Sequence, residues 1–301
     1  MKVLLFGGNG QVGTELRKVL SPLVELVVTT RSGLVDGVEC EAADFDRPQS
    51  LVSVLARVQP ELIINAAAYT AVDAAETDAE AAWRANAQAP AQIAGWCAAN
   101  DVPLVHYSTD YVFDGQCSTA YREGDATAPL GVYGQSKRAG EEAIIASGAP
   151  YLIFRTAWVY ASHGKNFLRT MLRLGAEREQ VAVVADQIGT PTSAALIART
   201  TLAVLQSGQL QSGIWHLTAS GQTSWHGFAQ EIFQQAHALG LLARKPTVDA
   251  ITTNDYPTPA KRPAWSCLDN GMLQQDFAIS LPDWKQELAT VMEEMVISPQ
   301  A

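Results

Sequence analysis

Short runs of apolar residues alternate with longer amphipathic stretches through the first half of the chain. The apolar runs, at positions 3–6, 26–28, 62–64, 104–107 and 152–154, have the length of buried strands. Strands that alternate with helices form a parallel sheet with helices on both faces. The pattern therefore predicts an α/β fold built on a doubly wound parallel sheet.

Apolar residues at helical spacing follow the first of these runs. Val12, Leu16, Val19 and Leu20 form one stripe, which predicts a helix packed against the sheet. Pro90 is a candidate kink within one of the later helices. Those later predicted helices span 48–58, 79–100, 133–146 and 193–206.

The alternation weakens beyond about residue 161, where the remaining elements predict a smaller lobe. Four prolines within 246–263 disfavour a helix, so this stretch is predicted to be a loop. The elements predicted for the lobe are a helix near 167–177, strands near 181–184 and 214–217, and helices near 225–239 and 284–296.

Charge and composition narrow the class of protein. Lys and Arg total 21 against 31 Asp and Glu, and the resulting net charge of −10 argues against a nucleic-acid partner. No apolar run approaches the roughly 18 residues that cross a bilayer, so no membrane partner is expected. The four apolar residues before Gly7 are too few for a secretory signal. The cysteines are scattered without metal-binding spacing, which fits reduced thiols in a cytoplasmic protein.

A glycine-rich segment links the first predicted strand to the first predicted helix. Gly7, Gly10 and Gly13, with Gln11 and Val12 between the last two, form a G-x-x-G-x-x-G pattern. Glycines there let the backbone approach a pyrophosphate, and a helix N-terminus attracts its negative charge. The segment predicts a dinucleotide site, and the alternative is a glycine-rich turn without a ligand.

The end of the second predicted strand bears on which dinucleotide binds. An NAD site places a carboxylate there, whereas this chain has Thr30, Arg31 and Ser32. Arg31 and Ser32 could bind a 2′-phosphate, which favours NADPH, with NADH as the alternative. Arg31 could instead be an ordinary solvated charge. Asp44 and Phe45, after the next short strand, could flank the adenine.

Tyr133 and Lys137 lie four residues apart on a predicted helix, so their side chains share one face. A free phenol has a pKa near ~10, and a neighbouring ammonium stabilises phenolate and lowers that pKa. Thr109, at the end of a predicted strand, could bond the same carbonyl oxygen of a substrate. Room for a cofactor beside the sheet is left by three small residues, Ala66, Ala67 and Ala68.

A glycine loop, a Ser-Thr pair at a strand end and Tyr-x-x-x-Lys occur in the order found in extended short-chain dehydrogenases/reductases, which this chain resembles over essentially its whole length. The resemblance implies a Rossmann-like sheet with a smaller α/β C-terminal substrate lobe. It divides the chain into an NADP(H)-binding domain, 1–160 with returning segments near 181–217, and a mostly substrate-binding lobe, 161–301. The segments that carry a closer resemblance, to reductases of nucleotide-linked keto sugars, are 65–73, 106–115, 129–137, 154–160, 186–192 and 256–263.

The same resemblance implies a reaction and a set of roles. NADPH would reduce the C4 keto group of a dTDP-linked 4-keto-6-deoxy sugar, with Tyr133 as proton donor and Thr109 orienting the carbonyl. Lys137 would lower the tyrosine pKa and bind the nicotinamide ribose, and Tyr107 would lie near the cofactor. The residues implied to contact the substrate are Val72, Thr109, Asp110, Tyr133, Trp158 and Arg262.

Some of these roles have ordinary structural alternatives. Trp158 could be a core aromatic residue, because tryptophan is usually largely buried. Arg262, a candidate clamp for the substrate pyrophosphate, could be a plain surface charge. Asn86 resembles an asparagine that supports the active site in short-chain reductases, but a lone asparagine often serves only local hydrogen bonds.

One feature of some family members does not carry over. They form dimers bridged by magnesium through glutamates on three elements, of which Glu15 and Glu293 or Glu294 match two. The third position is Ala195, which lacks the oxygen ligand that magnesium needs, so we expect no magnesium-bridged dimer. A homodimer of another kind stays open. Two other functions also stay open: a nucleotide-sugar epimerase or dehydratase with bound NAD, and a non-catalytic NADP-binding regulatory subunit.

Overall fold

The computed structural model describes residues 1–297. In chain order its strands are β1 (Lys2–Phe6), β2 (Glu25–Thr30), β3 (Leu34–Val35), β4 (Val38–Glu39), β5 (Glu41–Ala42), β6 (Leu62–Asn65), β7 (Leu104–Thr109), β8 (Tyr151–Thr156), β9 (Val159–Tyr160), β10 (Gln180–Val184), β11 (Ile188–Gly189), β12 (Thr192–Ser193), β13 (Gly213–His216), β14 (Thr223–Ser224) and β15 (Thr247–Ile251). Each of the five predicted runs in the first half lies inside a strand, which confirms those predictions.

The α-helices alternate with the strands through the first half of the chain, as the apolar pattern predicted. They are α1 (Gln11–Leu20), α2 (Leu51–Val58), α3 (Val72–Ala75), α4 (Ala79–Trp83), α5 (Ala89–Asn100), α6 (Val132–Ser147), α7 (Phe167–Glu177), α8 (Ala194–Gln206), α9 (Trp225–Ala238), α10 (Gly271–Phe277) and α11 (Trp284–Ile297).

Within residues 1–297, seven parallel strands form the central sheet in the order β13-β8-β7-β6-β1-β2-β5. The chain builds outward from β1 to β2 and β5, then returns to add β6 on the other side of β1. Ligands of such sheets bind outside the carboxyl ends of the strands at this reversal point. The sheet is the predicted Rossmann-like α/β architecture.

Two apolar layers cover the sheet because successive residues of β1 point to opposite faces. Val3 and Leu5 pack against Leu16 of α1, and Leu4 and Phe6 pack on the other face, toward α2 and α5. Both faces of a central parallel strand are thus buried, which explains why β1 reads as a continuous apolar run.

The second half of the chain adds one strand, β13, to the central sheet between strands that lie outside it. β13 pairs with β8, Ile214 opposite Ile153, and α8 packs against α1. β10 instead pairs with β15 away from the central sheet, with Val181 opposite Val248. The two portions of the predicted returning segment therefore lie in different places.

The prediction of a loop over 246–263 was wrong for its first part, where the structure has β15. The reason is long-range: β10 offers a parallel partner along the whole of β15, Gln180 opposite Thr247 through Val184 opposite Ile251. Pro246 lies just before this strand and costs it no ladder hydrogen bond.

The predicted helix over 79–100 is divided by a π-helical turn, Arg84–Gln88, between α4 and α5. Pro90 has no backbone N–H and so cannot bond the carbonyl of Asn86. Gly140 of α6 approaches that same carbonyl so closely that a Cβ on it would lie 2.1 Å from the oxygen. The predicted irregularity thus occurs as a π turn just before the proline.

No helix within the described part of the chain is long and apolar enough to cross a membrane. All four cysteines, Cys40, Cys97, Cys117 and Cys267, are free thiols.

Candidate active site

The glycine segment forms a tight loop between β1 and α1. Gly7 has a φ of +79°, and a Cβ on it would lie 2.7 Å from the backbone nitrogen of Ala67. A Cβ on Gly13 would lie 2.1 Å from the carbonyl oxygen of Gly7. Gly10 is the N-cap of α1 and provides no side-chain hydrogen bond to the helix. The uncapped helix terminus and the glycine-rich loop fit the pyrophosphate of a dinucleotide.

Replacing Gly13 with alanine is expected to weaken NADPH binding by about 5- to 100-fold, because overpacking against backbone costs about 1–3 kcal/mol. The clash is with the Gly7 carbonyl, so the loop itself must move. Gly95→Ala on α5 is the matched control, since a Cβ there meets nothing within 4 Å. Fluorescence titration with NADPH, beside thermal unfolding, measures the effect. Unchanged affinity of Gly13→Ala would refute the role of the loop.

At the far end of the predicted cofactor site, Arg31 is paired with acid side chains. Its guanidinium lies 3.3 Å from a carboxylate oxygen of Asp46 and 3.9 Å from one of Asp44, while its side chain stays 69% exposed. Asp44, predicted to flank the adenine, thus also contacts Arg31. Phe45 is buried with its ring against that of Phe6, centroids 5.5 Å apart.

Two other residues predicted for this end of the site stabilise the local turn. The hydroxyl of Thr30 donates to the carbonyl oxygen of Leu34 at 3.0 Å and lies 3.4 Å from that of Ser32. On the opposite side of β1, the N–H of Ala66 donates to the Phe6 carbonyl at 3.0 Å. Ala67 lies against Gly7, and Ala68, the next residue, is exposed. Small side chains here keep the strand ends open.

Tyr133, Lys137 and Thr109 come together from α6 and the end of β7. The hydroxyl of Thr109 donates to Asp110 Oδ1 at 3.0 Å, and a hydrogen bond links the Thr109 and Tyr133 side chains. The Tyr133 ring meets Tyr111 edge-on, with centroids 5.5 Å apart. A phenol, a hydroxyl and an amine thus lie at the carboxyl edge of the sheet, the same edge at which the glycine loop follows β1.

Burial raises the pKa of Tyr133 to about 12; the hydrogen bond with Thr109 opposes the rise and the charge of Asp110 adds to it. The sequence predicted the opposite direction for this pKa. That prediction was wrong because desolvation of the phenolate and the nearby carboxylate outweigh any gain from the ammonium. A phenol with a raised pKa stays protonated at neutral pH, which is the form that can donate a proton.

Lys137 is fully enclosed. Burial lowers the pKa of Lys137 to about 8, and the negative charge of Glu141 opposes this shift by favouring the ammonium form. Its Nζ donates to the carbonyl oxygen of Tyr107 at 2.5 Å and lies 3.5 Å from Nε2 of His106. The Tyr107 side chain points to the other face of the sheet, where its hydroxyl bonds Thr201 at 2.8 Å. Tyr107 therefore reaches the site through its backbone.

Two polar side chains hold α6 in place. Glu76 accepts a hydrogen bond from the backbone N–H of Val132, the first residue of α6, at 2.9 Å. Asn86 accepts from the N–H of Tyr69 at 2.9 Å and donates to the hydroxyl of Ser136 at 3.1 Å. Asn86 thus supports the helix that carries Tyr133. Sequence reasoning missed Glu76, whose partner lies 56 positions away.

Trp158 has a φ of +47°, a strained conformation for a bulky residue. Its indole stacks on Trp225, with centroids 3.6 Å apart and planes 7° from parallel. Gly189 lies on the ring so closely that a Cβ there would be 2.5 Å from it. Trp158 is half-buried rather than part of the closed core. Sequence reasoning missed Trp225, because the stack joins two separate elements.

Arg262 is bound to Asp73, next to Val72 at the start of α3. Its two terminal nitrogens lie 3.2 and 2.7 Å from the two carboxylate oxygens. Burial acts to raise the pKa of Asp73, but the guanidinium and the N–H of Ala260 outweigh it and hold the pKa below its usual range. A substrate phosphate would share the guanidinium with this carboxylate.

Asp110 follows Thr109 and is fully buried. Burial raises its pKa to about 6. Its negative charge lies near Tyr133 and Tyr111, whose pKa values it raises. Asp110 therefore helps to keep the proton on Tyr133.

Glu15 and Ala195, two of the three positions at which the resemblance implies magnesium ligands in some family members, do not fit that ion. Glu15 is bound by His163 and Lys18, each at 2.8 Å, and Ala195 supplies no oxygen. No cluster of three or more His, Cys, Asp or Glu side chains able to hold a metal occurs between residues 1 and 297. We therefore assign no step or contact to magnesium.

Comparisons with known proteins agree with this geometry. The family model described as RmlD substrate binding domain matches residues 1–297. A dTDP-4-dehydrorhamnose reductase from Burkholderia thailandensis is 44% identical over 305 residues, covering 98% of this chain and 99% of that protein. The enzyme of the same name from Escherichia coli K12 is 43% identical over 300 residues, covering 98% of each chain. The dTDP-4-dehydrorhamnose reductase from Bacillus anthracis, solved in complex with NADP, superposes with a TM-score of 0.88 at 33% identity, over 97% of this chain and 99% of that one.

Proposed function

This chain belongs to the RmlD substrate-binding-domain family, and we propose from that membership that it reduces the C4 keto group of dTDP-4-dehydro-β-L-rhamnose to give dTDP-L-rhamnose, with NADPH as reductant. The observation that carries the proposal is the Thr109–Tyr133 pair: Thr109 ends β7, and Tyr133 shares one face of α6 with Lys137, at the same sheet edge as the uncapped N-terminus of α1. The relatives named dTDP-4-dehydrorhamnose reductase supply the substrate class.

The cofactor would be held by the glycine loop and by the strand ends on either side of β1. The nicotinamide supplies a hydride to C4 of the sugar when bound. Tyr133 then gives its phenolic proton to the C4 oxygen, which balances the reduction to an alcohol. Its raised pKa means that the proton is present at neutral pH but is held more tightly than on a free phenol. Lys137, whose Nζ donates to the Tyr107 carbonyl, would bind the nicotinamide ribose in this proposal.

Thr109 and Asp110 orient the sugar in this proposal. Thr109 Oγ1 lies within hydrogen-bonding distance of both Asp110 and Tyr133, and in this proposal the hydroxyl turns from Asp110 to donate to the C4 oxygen of the sugar. Trp158, fixed by its stack on Trp225, forms an apolar wall for the sugar. Arg262 contacts the pyrophosphate while it stays paired with Asp73, which keeps the guanidinium fork in one orientation.

The direct test follows nicotinamide absorbance with purified protein, NADPH or NADH, and the keto sugar made in situ from dTDP-4-keto-6-deoxyglucose by a 3,5-epimerase. Substrate-dependent oxidation, faster with NADPH, supports the proposal. Tight co-purification of NAD with no net oxidation would favour an epimerase or dehydratase. NADPH binding without turnover would favour a regulatory subunit.

Arg31→Ala is expected to lower kcat/KM with NADPH about fivefold and leave the value with NADH unchanged. An exposed guanidinium already shared with Asp44 and Asp46 contributes about 1 kcal/mol to phosphate binding, less than a buried charge-assisted bond would. Arg173→Ala is the matched control, because that arginine is similarly exposed and pairs with Glu177 on α7. Equal losses with both cofactors would refute the role of Arg31.

A further inference from the structure

His106 is a buried polar residue that the proposed mechanism does not use. It lies on β7, 1% exposed, directly opposite Asn65 on β6. Its Nδ1 is 3.0 Å from Nδ2 of Asn65, and its Nε2 is 3.5 Å from Nζ of Lys137. The imidazole therefore joins a strand-end amide to the amine of the site.

The surroundings of Asn65 determine which nitrogen of His106 carries the proton. The N–H of Ala67 donates to Asn65 Oδ1 at 3.1 Å, so the amide NH₂ of Asn65 faces the ring. That group can only donate, and Nδ1 of His106 must accept. Burial, the larger cause, lowers the pKa of His106 well below its usual value, and an ammonium on Lys137 lowers it further, so the ring is neutral beside either form of the amine. A neutral ring that accepts at Nδ1 carries its hydrogen on Nε2.

The Nε2–H of His106 consequently points at Lys137. If Lys137 is an ammonium, its N–H groups and the Nε2–H of His106 are two hydrogen-bond donors that face each other. A neutral Lys137 amine can instead accept the Nε2–H with its lone pair. The Tyr107 carbonyl, 2.5 Å from Nζ, accepts from either form. His106 thus favours the neutral amine.

The other titratable groups around Lys137 act from several elements. Glu141, four residues further along α6, favours the ammonium but is itself bound by Arg155 of β8. Tyr133 lies on the same face of α6, and Asp110 lies at the end of β7 beside it. Among these groups, His106 is the one that presents a hydrogen-bond donor to the amine.

We propose that Asn65 and His106 act as positioning residues for Lys137. Asn65 holds the imidazole of His106 in one tautomer, and the imidazole presents its Nε2–H to the Lys137 amine and destabilises the ammonium form of that amine. The catalytic meaning rests on the proposed function, since it assumes that Lys137 serves Tyr133 and the cofactor. The effect on the amine itself is independent of any substrate.

The test is His106→Asn, because an asparagine amide can take the place of Nδ1 beside Asn65 while removing the donor that faces Lys137. NMR of protein labelled with ¹³Cε-lysine follows the titration of Lys137, assigned by its loss in Lys137→Met. The midpoint, near pH 8 in the unchanged protein, is expected to rise by about one unit in the variant. The basic limb of the pH profile of kcat/KM should move in the same direction.

Two further variants keep the test decisive. His106→Gln, whose carbonyl can accept from the ammonium, should also raise the midpoint, and it serves if the asparagine variant does not fold. Thr201→Val removes a buried hydrogen bond to Tyr107 on the other face of β7 and should leave the midpoint unchanged. An unchanged or lowered midpoint in the His106 variants, or an equal rise in Thr201→Val, would overturn the proposal. A shifted midpoint without turnover of any dTDP-sugar would overturn the proposed function alone.

Discussion

Replacing Tyr133 with phenylalanine is expected to lower kcat by about 10²- to 10⁴-fold, the usual contribution of a general acid. The phenyl ring keeps its edge-on contact with Tyr111, so the site should retain its shape. NADPH affinity should therefore stay within about twofold of the unchanged protein. Steady-state kinetics with the dTDP-keto sugar and a fluorescence titration with NADPH measure the two quantities separately.

The control for this prediction is Tyr160→Phe. It removes a phenolic oxygen that is buried without a hydrogen-bond partner among the described residues and lies outside the proposed site. Its kcat should be unchanged. Loss of NADPH binding in Tyr133→Phe, with turnover per bound complex preserved, would contradict the assignment of Tyr133 as proton donor.

Replacing Glu141 with alanine is expected to destabilise the protein by about 3–5 kcal/mol. The Glu141 and Arg155 side chains are 0% and 2% exposed and are joined by two hydrogen bonds of 2.9 and 2.8 Å. Removing the carboxylate leaves the guanidinium of Arg155 buried without its counter-charge. Denaturant unfolding, followed by circular dichroism, measures the loss.

Glu177→Ala provides the matched control on α7, where the exposed pair with Arg173 should contribute no more than about 0.5 kcal/mol. Truncating Glu141 and Arg155 together should cost less than the sum of the single changes, because no charge is stranded. Similar losses from Glu141→Ala and Glu177→Ala would show that burial does not set the strength of the pair.

The pair also makes stability depend on pH. Burial acts to raise the pKa of Glu141, but Arg155 outweighs it and holds the pKa below its usual range. A carboxyl group whose pKa is lower in the folded than in the unfolded protein stabilises the folded state at pH values above its unfolded-state pKa. This contribution is lost as the pH falls through its folded-state pKa. The acid side of the stability profile should therefore flatten in Glu141→Gln.

The central sheet could be predicted from local pattern because each strand between β1 and β8 that lies inside it, apart from the two-residue β5, contains a short, mainly apolar run. The glycine loop was equally local, since Gly7 and Gly13 meet each other across one turn. β15 was missed because the prolines of 246–263 favour a loop and its partner β10 lies more than sixty positions earlier, although Thr247, Val248 and Ile251 are β-branched residues that favour a strand.

The candidate site residues likewise differ in whether a local pattern of the sequence indicates them. Tyr133 and Lys137 share one helix face, so their spacing was informative. His106, Glu76 and Trp225 act through partners on other elements, and the chain offers only weak signs of them, such as a histidine within an apolar strand. The direction of the Tyr133 pKa was mispredicted for a related reason: burial is a property of the assembled fold.

The late position of β13 has a consequence for how the protein is made. Because β13 completes the sheet beside β8, a chain emerging from the ribosome presents β8 as an unpaired edge until His216 has been added. The face of α1 that packs against α8 likewise stays uncovered until α8 has been synthesised. The half of the chain that carries the glycine loop therefore depends for its closure on residues translated well after its own last strand, and a polypeptide that stops near residue 160 carries that loop on an unfinished, aggregation-prone sheet.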